Sequence, residues 1–270
     1  MYTCDFEYDG KLLSDFKFVI CSFNGSSDFD TVDAGSKIQF NTVSRHRGKL
    51  FSLVGTEYSE CITATIDICK DPSLHDDLQI TDDEYRALMR WLNRNEFLKF
   101  RIIYGDDSRT PCYYNASFNV EKVMVNNNLY GLELSMETNK PFGYGEEVTT
   151  SFSIDDVSKT YSLSDESDEI GYTYPSLKIT CNEAGDLTLS NDATGCNMVI
   201  KNVSAGEVIT LDGSTHIIKS SLDGHKLYND FNFDFFNIGN SYANRENKIS
   251  SSLKCVLEIT YSPIIKNSPN

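Results

Sequence analysis

The feature that most constrains this chain is an alternation of apolar and polar residues with period two, which recurs along almost the whole sequence. It is clear in "CITATIDIC" (61–69), "CYYNASFNVEKVMV" (112–125) and "LYGLELSMET" (129–138). Successive side chains on a strand point to opposite faces, so these runs predict half-buried β-strands. Between the last two runs stands Asn126-Asn127-Asn128, which predicts a hairpin turn because asparagine tolerates positive φ. We therefore expect a mainly β protein.

One stretch departs from this pattern and predicts a helix, "ITDDEYRALMRWLNRNEF" (80–97). Thr81 and Glu84 have the spacing of a capping box, which favours a helix start at this point. Apolar residues then recur at helical intervals, at Tyr85, Leu88, Met89 and Leu92. The expected helix covers about residues 81–93 and turns this apolar stripe toward a sheet, with Trp91 at the edge of the contact.

The strand pattern is interrupted near the middle of the chain by "NKPFGYG" (139–145). Beyond it the helical periodicity disappears, and short β-rich runs follow about every ten residues, which is typical of a β-sandwich. The 270 residues suffice for two cores, since domains usually hold roughly 100–150 residues. We expect an N-terminal β-rich domain with one α-helix at 1–145, and a C-terminal β-sandwich or jelly-roll domain at 146–270.

Charge and motif content argue against several classes of function. The formal net charge of −16 opposes any binding of nucleic acid that depends on neutralising phosphates. The four histidines are widely separated, and the sequence has no nucleophile elbow, phosphate loop or C-x-x-C pair. No run approaches the roughly 18–20 apolar residues of a membrane helix, and the eight scattered cysteines are expected to be reduced thiols. We expect no catalysis, no metal, no cofactor and no membrane insertion.

A basic loop is the first candidate site. The segment "SRHRGKLF" (44–51) concentrates positive charge in a chain that has few basic residues, at Arg45, His46, Arg47 and Lys49. A local basic cluster on an acidic protein can dock against an acidic surface, so these residues are candidates for a protein interface. The alternative is a solvated hairpin tip.

An aromatic segment, "YNDFNFDFFNIGN" (228–240), is the second candidate. Phe231, Phe233 and Phe235 alternate as they would on a buried strand of a sandwich, and this core interpretation is favoured. Sugar-binding proteins also use aromatic faces, so an exposed row would instead indicate a carbohydrate-binding adhesin.

Several segments together resemble a known family. "MRWLNRNEFLKF" is followed by "CYYNASFNVEKV" and then by "GLELSMETNKPFGYG", while "FEYDGKLLSDFKFVI" opens the chain and "FFNIGNSYANRENKISSSLKCVLEITYSP" ends it. This order of a helix ending in Trp-Leu, a Leu-x-Phe strand, a Tyr-x-Ala-x-Phe strand and a strand ending in Pro-Phe-x-Tyr resembles the distal tail proteins of long-tailed phages that infect Gram-positive bacteria. The resemblance extends over nearly the whole chain.

The resemblance implies a structural protein of the virion, made in the host cytoplasm and located at the tail tip. In that family the N-terminal domain is a distorted β-barrel or sandwich with one helix. It forms a six-membered ring at the distal end of the tail tube, and two rings can stack back to back. The C-terminal galectin-like sandwich projects outward and anchors receptor-binding proteins. The implied partners are further copies of the chain, the tail tube protein, a tail-tip protein and a receptor-binding protein. Phage DNA passes through the ring without specific binding.

Two hypotheses follow from combining the resemblance with the charge pattern. A closed ring needs two different patches that fit each other, and the basic loop can supply one of them. We therefore expect Arg45, His46, Arg47 and Lys49 at a subunit or tail-partner interface. DNA should not be held by the wall of its conduit, so we also expect loops facing the lumen to be neutral or acidic.

Overall fold

The structure is a computed structural model that describes residues 3–23, 37–45, 47–48, 50–105, 110–241 and 243–267. These residues form two compact units. The first contains the described residues up to Gly145 and those from Ile265 onward, and the second is Glu146–Ile264. The sequence had assigned the whole of 146–270 to the second body, whereas the end of the chain belongs to the first. Tyr114 supports this grouping, because its hydroxyl donates a hydrogen bond of 3.1 Å to the Asn267 carbonyl.

The elements of the first unit follow the predicted alternation. A 3₁₀ turn at Leu13–Phe16 adds a feature that the sequence had not indicated. In chain order the strands and the helix are β1 (Thr3–Tyr8), β2 (Lys11–Leu12), β3 (Phe18–Cys21), β4 (Ile38–Arg45), β5 (Leu50–Tyr58), β6 (Thr63–Lys70), α1 (Asp82–Leu92), β7 (Leu98–Tyr104), β8 (Tyr114–Val125), β9 (Asn128–Thr138) and β10 (Gly143–Tyr144).

Seven of the described strands form one antiparallel sheet in the order β2-β1-β7-β8-β9-β6-β3. Near the two ends of this order, β1 and β3 come into contact, so the sheet curls round on itself. The curled sheet with a packed helix confirms the expected distorted barrel. Asn126 and Asn127 form the predicted hairpin turn between β8 and β9, with φ of 49° and 66°.

Helix α1 begins as the capping box predicts. The Thr81 amide donates to the Glu84 carboxylate at 2.8 Å, and the Thr81 hydroxyl accepts from the Glu84 amide at 3.4 Å. The same carboxylate forms an ion pair of 2.9 Å with Lys70, a buried lysine at the end of β6. One carboxylate thus caps the helix and fixes its first turn against the sheet.

Trp91 lies in the core, so its predicted position at the edge of the helix contact is wrong. Only 4% of its surface is exposed. Its ring stacks on Phe16 at 4.4 Å and on Phe6 at 5.6 Å, and its indole nitrogen donates to the Tyr8 carbonyl at 2.9 Å. The indole can be buried because this carbonyl satisfies its single donor.

The second unit is the expected β-sandwich. Five of its described strands form one antiparallel sheet in the order β11-β21-β14-β17-β18, and four form another in the order β12-β20-β15-β16. The inward residues of both sheets join one apolar core. In chain order the elements are β11 (Val148–Ile154), β12 (Tyr161–Ser164), β13 (Gly171–Thr173), β14 (Ser176–Cys181), β15 (Gly185–Asn191), β16 (Cys196–Val203), β17 (Val208–Leu211), β18 (Ile218–Ser220), α2 (Leu227–Asp230), β19 (Ile238–Asn240), β20 (Glu246–Ser251) and β21 (Cys255–Tyr261). The last strand, β22 (Ile264–Ile265), begins at the final residue of this unit and continues into the first.

A buried glutamate ties three segments of the sandwich together. The Glu207 side chain is fully buried and accepts hydrogen bonds from the Ser220 hydroxyl and from the Ser204 amide at 2.9 Å. Its Oε1 also lies 2.6 Å from His225 Nδ1. Burial by itself raises the pKa of Glu207, but the hydrogen bonds from Ser220, Ser204 and His225 outweigh it and hold this pKa below its ordinary value.

Acidification is expected to destabilise the second unit through Glu207. The pKa of Glu207 is lower in the folded than in the unfolded state. The stabilisation is therefore complete at pH values above the pKa of the unfolded state, and it is lost as the pH falls through the pKa of the folded state. Glu207→Gln should remove this part of the pH dependence and lower stability at neutral pH by about 1–3 kcal/mol. Thermal denaturation across neutral to acidic pH measures both effects. The exposed Glu166→Gln is the matched control, and an identical profile for both variants would contradict the assignment.

The sequence also predicts that the chain has no membrane helix and that its cysteines are reduced. In the part of the chain that the structure describes, no helix is long and apolar enough to cross a membrane. The described cysteine side chains are free thiols, three of them buried in the sandwich core.

Candidate assembly interface

The hairpin formed by β4 and β5 carries the predicted basic loop. Among the described strands these two pair only with each other, in antiparallel register from Ile38 opposite Tyr58 to Arg45 opposite Leu50. Their side chains are exposed along nearly the whole length. A two-stranded hairpin without further packing is at best marginally stable in water. We therefore expect another surface to pack against this hairpin.

The two faces of this hairpin differ in character. Residues opposite each other in an antiparallel pair share a face. Val54 is an extra residue at a bulge in β5, so Leu53 and Phe51 beyond it lie on the same face as Tyr58. One face carries mostly polar residues. The other carries an apolar row, which we call the apolar face, formed by Ile38, Phe40, Phe51, Leu53 and Tyr58.

The two phenylalanines of the apolar face are largely open to solvent. Phe40 is 64% exposed and Phe51 is 65% exposed, and Ile38 and Leu53 beside them are also exposed. Scattered exposed apolar residues are ordinary on a protein surface, but a contiguous row marks an interaction site. No other described strand pairs with the outer edges of β4 and β5, so a further strand could use their backbone groups.

The tip of the hairpin holds the basic residues. Arg45 ends β4, and Arg47 and Gly48 lie in the connecting loop with φ of 55° and 80°. Both arginines are exposed. The other two predicted interface residues, His46 and Lys49, lie outside the described residues. The loop therefore places at least two cations beyond the end of the apolar face.

The root of the hairpin is fixed to the first unit. Lys37 and Glu60 form an ion pair of 3.0 Å across its base, and the Ser59 amide donates to the Lys37 carbonyl at 3.0 Å. Tyr58 packs edge to face on Phe142 at 6.1 Å. Phe142 belongs to the "NKPFGYG" break, so this interruption of the strand pattern supplies a support for the hairpin. The apolar row begins on the body of the unit and continues outward.

The apolar face was missed by the sequence analysis. The signal is present in "KIQFNTVSRHRGKLFSLVGTEY" (37–58), where apolar residues alternate on both sides of the basic loop. The alternation identifies a hairpin with one apolar side. It does not tell whether a neighbouring element of the same chain covers that side.

An open cleft of about 270 Å³ near the end of α1 is a weaker candidate. Its lining includes Arg94, Glu96 and Phe97. Arg94 already pairs with Glu96 at 2.7 Å and with Asp9 at 3.5 Å, so its charge is compensated. Among the described residues, no group of histidine, cysteine, aspartate or glutamate side chains is arranged to hold a metal ion.

The aromatic segment does not form the predicted core strand. Its first residues form the single turn of α2, Phe231 makes an isolated antiparallel bridge to Ile200, and its last residues form β19. The residues between, from Asn232 to Asn237, are irregular. Phe231 and Phe236 are buried, but Phe233 is 55% exposed and Phe235 is half-buried. The alternation was misleading because the segment runs along the edge of a sheet and does not enter it.

Comparison with known proteins gives a consistent result over the whole chain. A family model described as "Phage tail protein N-terminal domain" matches residues 1–140, and one described as "Phage tail C-terminal domain" matches residues 142–261. A comparison with curated protein sequences finds no match. Among solved structures, the chain is similar to the crystal structure of the Dit protein (gp 19.1) of SPP1, described as a paradigm of the hub adsorption apparatus in phages infecting Gram-positive bacteria.

That similarity is extensive in space and slight in sequence. The TM-score is 0.65 at 12% identity, over 97% of this chain and 99% of the SPP1 chain. At this identity the likeness shows a shared fold. Together with the family models it confirms the resemblance to distal tail proteins that the sequence had indicated.

Proposed function

The chain belongs to the phage tail protein family, and we propose that it is the hub at the distal end of the tail tube, where six copies form a ring. The single observation that carries this proposal is the apolar face of the β4–β5 hairpin, which the described residues of the subunit leave exposed. Such an apolar row is stabilised when another subunit covers it. The hub is thus a structural component, and its surfaces serve assembly.

Ring closure accounts for the position of this face. In a cyclic ring each subunit offers one patch to one neighbour and a different patch to the other. The hairpin can supply one of these two patches, because it combines an exposed apolar row with exposed arginines at its tip. Its basic tip would meet an acidic partner surface, which the net charge of −16 makes abundant on the neighbouring copy.

The remaining partners follow from the position of such a hub. We propose that the ring binds the tail tube protein on one side and a tail-tip protein on the other, with or without a second ring back to back. We further propose that the second unit anchors receptor-binding proteins. The acidic composition suits a channel through which DNA passes without being held.

Reversing the charge of the basic loop is expected to weaken the ring. In the variant Arg45→Glu, Arg47→Glu, Lys49→Glu the tip would repel an acidic neighbour, so the fraction of ring should fall several-fold, most strongly at low salt. Light scattering of the full chain measures this fraction. The control Lys201→Glu, Lys219→Glu, Lys248→Glu makes the same change in net charge at exposed sites of the second unit. Equal assembly of both variants would show that the loop lies outside the interface.

A further inference from the structure

A continuous row of aromatic rings crosses one surface of the second unit. Neighbouring ring centroids are 4.6–5.8 Å apart, and most pairs meet edge to face or tilted. We call this row the aromatic ridge; in order of contact it consists of Tyr174, His216, Phe235, Phe231, Phe233 and Tyr228.

The ridge is exposed at both ends. Tyr228 is 81% exposed and its neighbour Phe233 is 55% exposed, while Tyr174 and His216 are exposed at the other end. The less exposed Phe231 and Phe235 connect the two ends. The exposed rings at the two ends are thus connected through the less exposed rings between them.

Two of these rings belong to residues with positive φ, which is a strained conformation for phenylalanine and a more common one for histidine. Phe233 has φ of 62° and His216 has φ of 55°. A bulky side chain in the left-handed region is a rare outlier and costs on the order of 1–3 kcal/mol. Asparagine or glycine would adopt this conformation at little cost. An aromatic residue at position 233 therefore opposes stability, and this points to a role for the ring.

The strain at Phe233 is maintained by its two neighbours, which are clamped to the edge strand β16. The Asn232 side chain accepts from the Val199 amide at 3.0 Å and donates to the Asn197 carbonyl at 2.8 Å. The Asp234 carboxylate accepts from the Asn197 amide at 2.9 Å. These bonds attach the residues on both sides of Phe233 to the edge of the sheet. They hold the Phe233 ring at the surface.

We propose that the aromatic ridge is a binding site for an uncharged polysaccharide, whose sugar rings stack on the two exposed ends. The C–H faces of sugars pack on aromatic faces, and rings that are already fixed lose little entropy on binding. Polar residues such as Asn229, Asp230 and Ser214 stand beside the exposed rings in the sequence, which suits a hydroxylated chain better than the broad apolar core of a protein interface.

The acidic residues near the ridge favour a neutral glycan over an anionic one. Asp230 and Asp234 flank the Phe233 end, Asp212 lies near the His216 end, and the chain is acidic overall. A polymer bearing phosphate would be repelled, whereas a neutral one would not. The proposed sugar site lies in the second unit and the proposed ring contact in the first, so we expect a variant that no longer binds sugar still to form the ring.

A glycan array tests the proposal with the full chain as probe, against neutral hexose and N-acetylhexosamine oligosaccharides printed beside phosphate-bearing teichoic acid polymers. We expect binding to neutral glycans only, followed by titration calorimetry with the best of them. Tyr228→Ala and Phe233→Asn should each weaken that binding at least tenfold. Phe233→Asn should also keep or raise the melting temperature, because asparagine relieves the strain, and this separates lost binding from lost folding.

The control is Phe97→Ala, which removes an exposed ring from the first unit and should bind as the unaltered chain does. The proposal would be overturned by the absence of binding to any neutral glycan, by binding confined to the teichoic acid polymers, or by undiminished binding in both ridge variants. Burial of Tyr228 and Phe233 by a receptor-binding protein in the assembled tail would also overturn it.

Discussion

Replacing both phenylalanines of the apolar face, Phe40→Ser with Phe51→Ser, is expected to abolish ring formation while the subunit stays folded. Covering a phenylalanine side chain contributes about 1.5–3 kcal/mol relative to leaving it in water. The two changes should therefore cost each contact between neighbours at least tenfold in affinity, and a closed ring contains such a contact at every subunit. The fold should tolerate them because both rings are largely exposed in the subunit.

Light scattering of the purified chain and electron microscopy of assembled tails measure this effect in two settings. The matched control is Phe97→Ser, which removes an exposed phenylalanine from the same unit but far along the chain from the hairpin. Circular dichroism should show the same melting temperature for all three proteins. Rings formed by the double variant in normal yield would remove the hairpin from the interface and with it the main support for the proposed hub.

Trp91→Ala is expected to unfold the first unit or bring it close to unfolding. Truncating a buried tryptophan costs about 3–5 kcal/mol, and domains of this size are stable by only about 5–15 kcal/mol. The change removes the stacking of Trp91 on Phe6 and Phe16 and leaves the buried Tyr8 carbonyl without its donor. The second unit has its own core and should retain its stability.

Calorimetry resolves the two units as separate transitions, of which only one should move. Trp91→Phe keeps the ring stacking but loses the indole hydrogen bond, so it should cost less than half as much as alanine. Trp91 is the only tryptophan in the chain, so in the unaltered protein its fluorescence reports on the first unit alone. A shift of both transitions by Trp91→Ala would show that the units do not unfold independently.

Much of the fold could be predicted because it depends on local patterns. The capping box at Thr81 and Glu84, the asparagine turn at 126–127 and the alternation of β6, β8 and β9 are determined by neighbouring residues. The position of Trp91 was not predictable in this way. Its burial depends on Phe6 and Phe16, which lie some seventy residues or more earlier in the sequence and meet it only in the folded unit.

The candidate sites show more clearly what residue alternation alone cannot predict. Alternation at Phe231, Phe233 and Phe235 predicts a core strand, and the structure departs from it because Asn232 and Asp234 bind the edge of β16 through their side chains. Alternation at Phe40 and Phe51 is genuine, but the side it marks faces solvent within the subunit. Periodicity tells which residues share a face. Whether that face is covered depends on contacts distant in sequence or in another subunit.

The return of the chain to the first unit at Ile265 has a consequence for truncated chains. The strands β11 to β21 all precede Asn267, the residue whose carbonyl accepts the Tyr114 hydrogen bond. A polypeptide that ended shortly before Asn267 would therefore contain every strand of the sandwich, while its first unit would lack this contact. Truncation there is expected to weaken the unit proposed to join the ring and to leave the sandwich strands complete.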